Sequence, residues 1–387
     1  MTSLAPIRSL YVHVPFCAQK CNYCAFYSEA SNGEVMNRYV AALIRELEMI
    51  AADCAPETIF FGGGTPTLLT IPQWERILAA MDRLGLGGAA EWTVEANPAT
   101  LSLDKARLLR SGGVNRVSMG VQSLDESLLD RLGRIHSREM VFKSFDILRR
   151  AGFDNLNLDL MFAIPGQTLA VWRSTLAEAI ALGSEHLSSY EVIYEDDTPL
   201  YADLKAGKVS ENEDLACLMY EELVAHAAGA GFRQYEIANF ARDAAGPPPV
   251  DRACRHNLNY WRGESFHAVG PSATGYVRGV RSKHWSNTIQ YCEAIERGER
   301  GERGIESSEE LAPLARAGET AAFGLRMVAG LPFEEFRAVT GHDLRQEWAA
   351  DMSTLEREGL GRVLPDRFQL TPKGLRFADT AAQHFLR

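Results

Sequence analysis

The chain has 387 residues, 46% of them hydrophobic and 24% charged, the balance of a folded protein with room for more than one domain. A formal charge of −11 argues against a general nucleic-acid binder, which would carry a basic face. No apolar run approaches the about 20 residues of a membrane span. The start, MTSLAPIRSLYVHV, lacks a secretory core, and the seven cysteines are odd in number and clustered, so a cytoplasmic location without a disulfide framework is expected.

Residues 10–14 alternate and read as a strand. It runs directly into Cys17, Cys21 and Cys24, spaced C-x3-C-x2-C. Three thiolates on one tight loop can hold three corners of a cubane iron–sulfur cluster. Phe26 and Tyr27 follow where a fourth cysteine could stand, which leaves one iron open to a chelating ligand. Zinc is the competing metal. A closed structural zinc site needs four ligands, and His13, in the strand, is the neighbour that could be counted as the fourth.

Helical periodicity covers 36–53, and 58–61 reads as a short buried strand ending at Gly62-Gly63-Gly64-Thr65-Pro66. Pro72 opens a helix, a favoured first-turn position. A strand over 91–95 follows, and Ser102 can cap a helix that ends at Gly112-Gly113. The next strand is 115–123, with Ser123 to Glu126 matching a capping box for the helix behind it. A helix over 137–150 stops at Gly152, 154–168 holds a strand and a turn, a helix covers 169–182, and 185–195 supplies a sixth strand. Cys54, Cys217 and Cys292 stand in helix-like contexts and read as small buried apolar residues.

Strand and helix thus alternate about six times, which predicts an α/β fold with a parallel sheet. Six units rather than eight predict a partial (β/α)6 TIM-type barrel over 1–240. Beyond it, 241–254 is a Gly/Pro/Ala-rich loop, 254–285 is rich in aromatics and histidine, and 297–309 is a charged, solvated connector, so that 241–300 reads as a connecting segment. Residues 301–387 predict a smaller α+β C-terminal domain, helical first and then a hairpin of GLGRVLP and RFQLTP, resembling a winged helix without a basic stripe.

In a parallel barrel the chemistry sits at the C-terminal strand ends. That rule selects the cysteine loop, the Gly62–Pro66 turn, Glu95, Gln122 and Asp159, with Arg134 in a following turn. Glycines let backbone approach a ligand, carboxylates accept from an ammonium or hydroxyl, and a guanidinium grips a carboxylate in a fork. A tight turn and strand-end capping would produce some of the same residues.

The string Y-x-H-x-P-F-C-x-x-x-C-x-Y-C-x-F resembles the cluster motif of the radical S-adenosylmethionine (SAM) superfamily, in the branch that contains oxygen-independent coproporphyrinogen III oxidase and the HemW-like heme chaperones. The segments GGGTP, E-x-N-P, G-V-Q-S, G-R-x-H and D-L-M-x-x-x-P-G-Q-T look like that branch as well. The resemblance implies a [4Fe-4S] cluster on Cys17, Cys21 and Cys24, with SAM on the open iron and against Gly63, Gly64, Thr65, Glu95, Gln122, Arg134 and Asp159. Tyr11 and Tyr23 match aromatic positions that flank the cluster.

Two features favour the chaperone side of the branch. The oxidases carry one more cysteine two positions after the third, where this chain has Phe26. His256-Asn257-Leu258-Asn259-Tyr260-Trp261 matches an HNxxYW motif whose histidine is implicated in heme binding. Imidazole is a good heme-iron ligand, Tyr260 and Trp261 offer flat apolar faces, and Arg255 or Arg262 could meet a propionate. Cys254 and His267 are further ligand candidates, although FHAVGPSA departs from the glycine-rich pattern of the family. The resemblance implies heme, a heme-acceptor protein and an electron donor as partners, and leaves room for a homodimer. The alternative on the same motifs is oxidative decarboxylation of coproporphyrinogen III.

Overall fold

A computed structural model describes residues 4–30, 32–243, 251–298 and 304–387. Six strands run parallel, each paired with the next: β1 (Ile7–Val14), β2 (Cys54–Gly63), β3 (Glu91–Ala96), β4 (Arg116–Gln122), β5 (Leu156–Phe162) and β6 (His186–Glu191). Between them run α1 (Gly33–Ile50), α2 (Ile71–Arg83), α3 (Leu103–Ser111), α4 (Glu126–Arg131), α5 (Arg138–Arg150) and α6 (Leu169–Ala181). The sheet does not close, so the barrel is partial, as six units predict. Its core is continuous between sheet and helices, with Trp74, Trp92 and Trp172 fully buried. The side chains of Thr70, Ser102, Ser137 and Thr168 cap four of the helices, each satisfying a first-turn N–H that has no partner inside its own helix.

Local differences from the sequence reading have local causes. The cap of α4 is Asp125, which accepts from Ser127 and Leu128 N–H, and Ser123 instead accepts from Asp125 N–H. Cys54 begins β2 rather than sitting in a helix, because the chain leaves α1 through one tight turn, Ala51–Asp53. Cys217 is half-buried, while Cys292 is buried as expected.

The sheet also extends past its six parallel strands. After β6 the chain forms α7 (Pro199–Lys205) and α8 (Glu213–Gly229). It then adds β7 (Arg233–Gln234) and β8 (Asn239–Ala241), with β8 antiparallel to β6. Part of the Gly/Pro-rich loop, 244–250, lies outside the described residues. Beyond it, α9 (Arg255–Trp261) carries the HNxxYW motif, and β9 (His267–Val269) pairs parallel to β1 on its free edge. The segment read as a connection carrying the HNxxYW motif therefore also adds an edge strand to the sheet; three residues are too few to show a periodicity.

A separate antiparallel sheet follows, of β10 (Thr274–Val277), β11 (Val280–His284) and, after α10 (Thr288–Arg297), β12 (Ile305–Glu310). The expected solvated connector lies outside the described residues at 299–303, and at 305–310 it is an edge strand with charged, outward side chains, a common protection for an unpaired edge. After α11 (Pro313–Gly324), three short strands, β13 (Leu331–Pro332), β14 (Gly361–Val363) and β15 (Arg367–Leu370), pack with helices around Trp348, Phe336, Phe368 and Phe385 in a second core.

Candidate functional site

The loop that leaves β1 folds over the strand ends and is pinned there by backbone. Gly64 N–H donates to Val14 O at 2.8 Å and Thr65 N–H to Phe16 O at 2.7 Å. Cys17 Sγ lies 3.8 Å from Thr65 Oγ1. Gly63 has φ +101°, and a Cβ there would stand 2.4 Å from the His13 ring, so the turn requires glycine. A Cβ on Gly64 would meet the carbonyls of Val14 and Phe16 at 2.7 Å.

Below this turn, Glu95 Oε2 accepts from Gly63 N–H at 3.2 Å. Asp159 accepts from Ser118 Oγ at 2.9 Å and from Asn157 Nδ2 at 2.7 Å. Arg134 donates to Gly120 O at 2.6 Å and reaches Cys21 Sγ at 3.5 Å. Gln122 holds φ +63° where the β4–β5 register slips, a strained backbone of the kind that collects at functional sites.

These residues meet in one cavity of about 570 Å³, lined by Cys17, Cys21, Cys24, Tyr23, Gly63, Gly64, Thr65, Glu95, Gln122, Arg134 and Asp159. Burial pushes the Cys17 and Cys24 thiols up. Burial, with the Asp159 carboxylate beside it, pushes Glu95 up to about 8, and burial raises Asp159 as well. Two carboxylates that line one cavity and are raised by burial favour a cationic ligand, which would restore their charge. Arg134 Nε is buried with no hydrogen-bond partner among the described residues.

The donor set fits a cluster better than a single ion. Among the described residues, no three His, Cys, Asp or Glu side chains converge on one metal position. His13 is not a fourth ligand: its Nδ1 is 3.0 Å from Tyr11 Oη and its Nε2 3.0 Å from Tyr27 O. Burial lowers it to about 4, and it stays neutral. Three thiols beside an open, carboxylate-floored cavity could hold a cluster and a cationic amino-acid ligand.

Tyr11 is not in this cavity. It lines a second one, of about 560 Å³, on the other side of the cysteine loop. Ala25 and Phe26 line both cavities, and Phe26 is 71% exposed. The remaining wall is largely aromatic, with Tyr27, Tyr260, Trp261, Phe266, Tyr276 and Phe323. The HNxxYW motif is thus divided. On α9 the spacing i, i+4 stacks His256 under Tyr260. Tyr260 and Trp261 face the cavity, while His256, 1% exposed, lies behind them against Phe60. Its Nε2 is 2.7 Å from Tyr260 Oη and its Nδ1 2.9 Å from Thr58 Oγ1. Glu91 anchors the start of α9 by accepting from Arg255 and His256 N–H, both at 3.0 Å.

Other expected ligands are elsewhere. Arg255 and Arg262 are exposed and do not line the cavity. Cys254 is fully buried, 3.4 Å from Glu91. His267 is buried with Nε2 3.3 Å from Asp53.

Residues 11–179 match the model of the radical SAM superfamily, and 311–377 that of the HemN C-terminal domain. The heme chaperone HemW of Bacillus subtilis is 34% identical over 375 residues, covering 95% of this chain and 96% of that protein. The heme chaperone HemW of Escherichia coli is 33% identical over 401 residues, covering all of both. The chain belongs to the HemW family. Among solved structures, the radical SAM enzyme coproporphyrinogen III oxidase (HemN) from Escherichia coli superposes with a TM-score of 0.83 over 98% of this chain and 90% of that one, at 21% identity, which shows a common fold.

In this HemW-family chain the sequence reading missed Ser118 and Asn157, which hold Asp159, and Tyr190 and Glu191, which line the cluster-side cavity from the end of β6. Ser118 and Asn157 alternate with apolar neighbours on inward strand faces, so the period of two could have flagged them. The basic residues of the second cavity, Arg281 and Lys283, carry no motif signal. Among the described residues, no helix is long and apolar enough to cross a membrane.

Proposed function

We propose that this chain is a heme chaperone, which binds heme in the aromatic cavity and passes it to an acceptor protein. A [4Fe-4S] cluster on Cys17, Cys21 and Cys24 with bound SAM would then govern release rather than support porphyrin decarboxylation. The observation that carries the reading is the shared wall: the apolar cavity and the cysteine cavity meet at Ala25 and Phe26. A cavity of about 560 Å³ is within the range of small-molecule and cofactor sites.

The chain's own residues divide the work. Cys17, Cys21 and Cys24 hold the cluster, which supplies one-electron chemistry when present. Glu95, Asp159 and Gln122 meet the polar groups of SAM, and Arg134, its guanidinium fixed by Gly120 O, meets a carboxylate. The Tyr11–His13–Tyr27 chain of hydrogen bonds joins the aromatic cavity to the loop that carries the cysteines. The proposal includes a cytoplasmic location and an electron donor for the cluster.

The test is anaerobic reconstitution, titration with heme followed by absorbance, and transfer to apomyoglobin as a model acceptor, with and without SAM and dithionite. Saturable binding and cluster-dependent transfer are expected. Turnover of coproporphyrinogen III under the same conditions, without saturable heme binding, would replace the chaperone with the oxidase.

A further inference from the structure

One wall of the aromatic cavity is a face of the β10–β11 hairpin. Thr274 pairs with Lys283 and Tyr276 with Arg281, and all four line the cavity. The alternate residues Gly275, Val277, Val280, Ser282 and His284 line a smaller cavity of about 210 Å³ on the opposite face. Lys283 and Arg281 are therefore held side by side by strand alternation, at i and i+2.

They are the Lys and Arg side chains that line the aromatic cavity among its described residues. Arg281 is fixed, because its two Nη atoms donate to Glu309 and Glu319, each at 2.5 Å. Lys283 is exposed and makes no ion pair among the described residues. Glu264 and Glu319 line the cavity as well, and Glu319 is taken up by Arg281. A cavity with aromatic walls and one ammonium outside any ion pair suits a flat apolar ligand that carries anionic groups along one side. A carboxylate brought against such a wall needs a cation, since burying it unpaired is costly.

We propose that Lys283, the cation of this wall not committed to a carboxylate of the chain, grips the carboxylate edge of the cavity's ligand and so selects a planar ligand bearing carboxylates over its neutral ester. The inference rests on the heme reading and deepens it: the propionate edge faces β11, and the opposite edge of the macrocycle points toward Tyr11 and the cysteine loop.

The test titrates the reconstituted protein with hemin and with hemin dimethyl ester. It compares the unmodified chain with Lys283→Ala, Lys283→Glu and Lys283→Arg. Lys283 is exposed, so these variants should fold. Lys283→Ala is expected to weaken hemin roughly twofold to fivefold, the upper part of the range of an exposed charge pair. Lys283→Glu should weaken it further, Lys283→Arg should restore it, and ester binding should not move. Equal affinity of the unmodified chain for hemin and ester, or a loss shared by both ligands in Lys283→Glu, would overturn the grip while leaving the chaperone reading in place. No saturable hemin binding to the unmodified chain would remove that reading, and the grip with it.

Discussion

The Tyr260 hydroxyl lies 2.7 Å from Nε2 of His256, and Nδ1 of the same ring lies 2.9 Å from the Thr58 hydroxyl. Both ring nitrogens of the motif histidine are thus satisfied inside the protein. Burial lowers its pKa to about 3, so the ring is neutral. Tyr260→Phe should cost about 1–3 kcal/mol in urea unfolding by leaving a buried nitrogen unpaired. His256→Ala, which opens a hole beside Phe60, should cost about 2–5 kcal/mol. Heme affinity lost in His256→Ala and kept in Tyr260→Phe would assign iron ligation to the imidazole, since the phenylalanine variant frees Nε2. Equal loss in both would assign the motif to positioning Tyr260.

The cysteine loop yields a sharper expectation. Cys17→Ala, Cys21→Ala and Cys24→Ala should each abolish retention of iron and acid-labile sulfide after anaerobic reconstitution, with the far-UV circular dichroism unchanged. Cys217→Ala, on α8 and away from the loop, should retain the full cluster content. Zinc bound with no sulfide in the unmodified protein would contradict the assignment.

Gly63 is the position where backbone shape and ligand cradle coincide. Gly63→Ala places a methyl against the His13 ring at φ +101° and should destabilise the chain by about 1–3 kcal/mol, measured by urea unfolding. The reconstituted variant should also lose SAM binding by isothermal titration. A variant as stable as the parent would show that the turn can shift.

Much of this site was legible in the sequence because its parts are local. The cysteines sit within eight residues, the GGGTP turn follows a strand, and Glu95 and Gln122 stand at strand ends, while Asp159, expected at a strand end, is the middle residue of β5. Strand alternation and the barrel rule were enough to bring them together. What failed was depth and distance. Nothing in HNxxYW says that its histidine points into the barrel while its tyrosine faces a cavity, because that follows from how Glu91 anchors α9. Tyr11 was grouped with the cluster because it matches an aromatic position of the resembled motif, but its side chain lines the second cavity. The β9 strand and the β10–β12 sheet were missed because their strands are three to six residues long and largely polar or small.

Glu95 makes stability depend on pH. Its ordinary value is 4.5, and burial beside Asp159 raises it to about 8 in the folded chain. Its contribution is fully present below about pH 4.5 and is lost as pH rises through about 8. In the protein without cluster or SAM, this one group should lower the unfolding free energy by up to about 1.4 kcal/mol per pH unit across that window. Glu95→Gln removes the titration, so urea midpoints of parent and variant should converge or cross between pH 5 and 8 and run parallel above it. Curves parallel throughout would show that Glu95 is ionised in the folded chain.

The central claim is that the aromatic cavity beside the cysteine loop is the heme site. The most direct measurement is a heme titration of the anaerobically reconstituted protein, followed by absorbance, beside Thr274→Trp. Thr274 is exposed on β10 and lines that cavity, so an indole there should block it with little cost to the fold. Saturable binding is expected in the parent and is lost in Thr274→Trp, with the cluster content of the two proteins equal. Undiminished binding in Thr274→Trp, or no saturable binding in the parent, would contradict it.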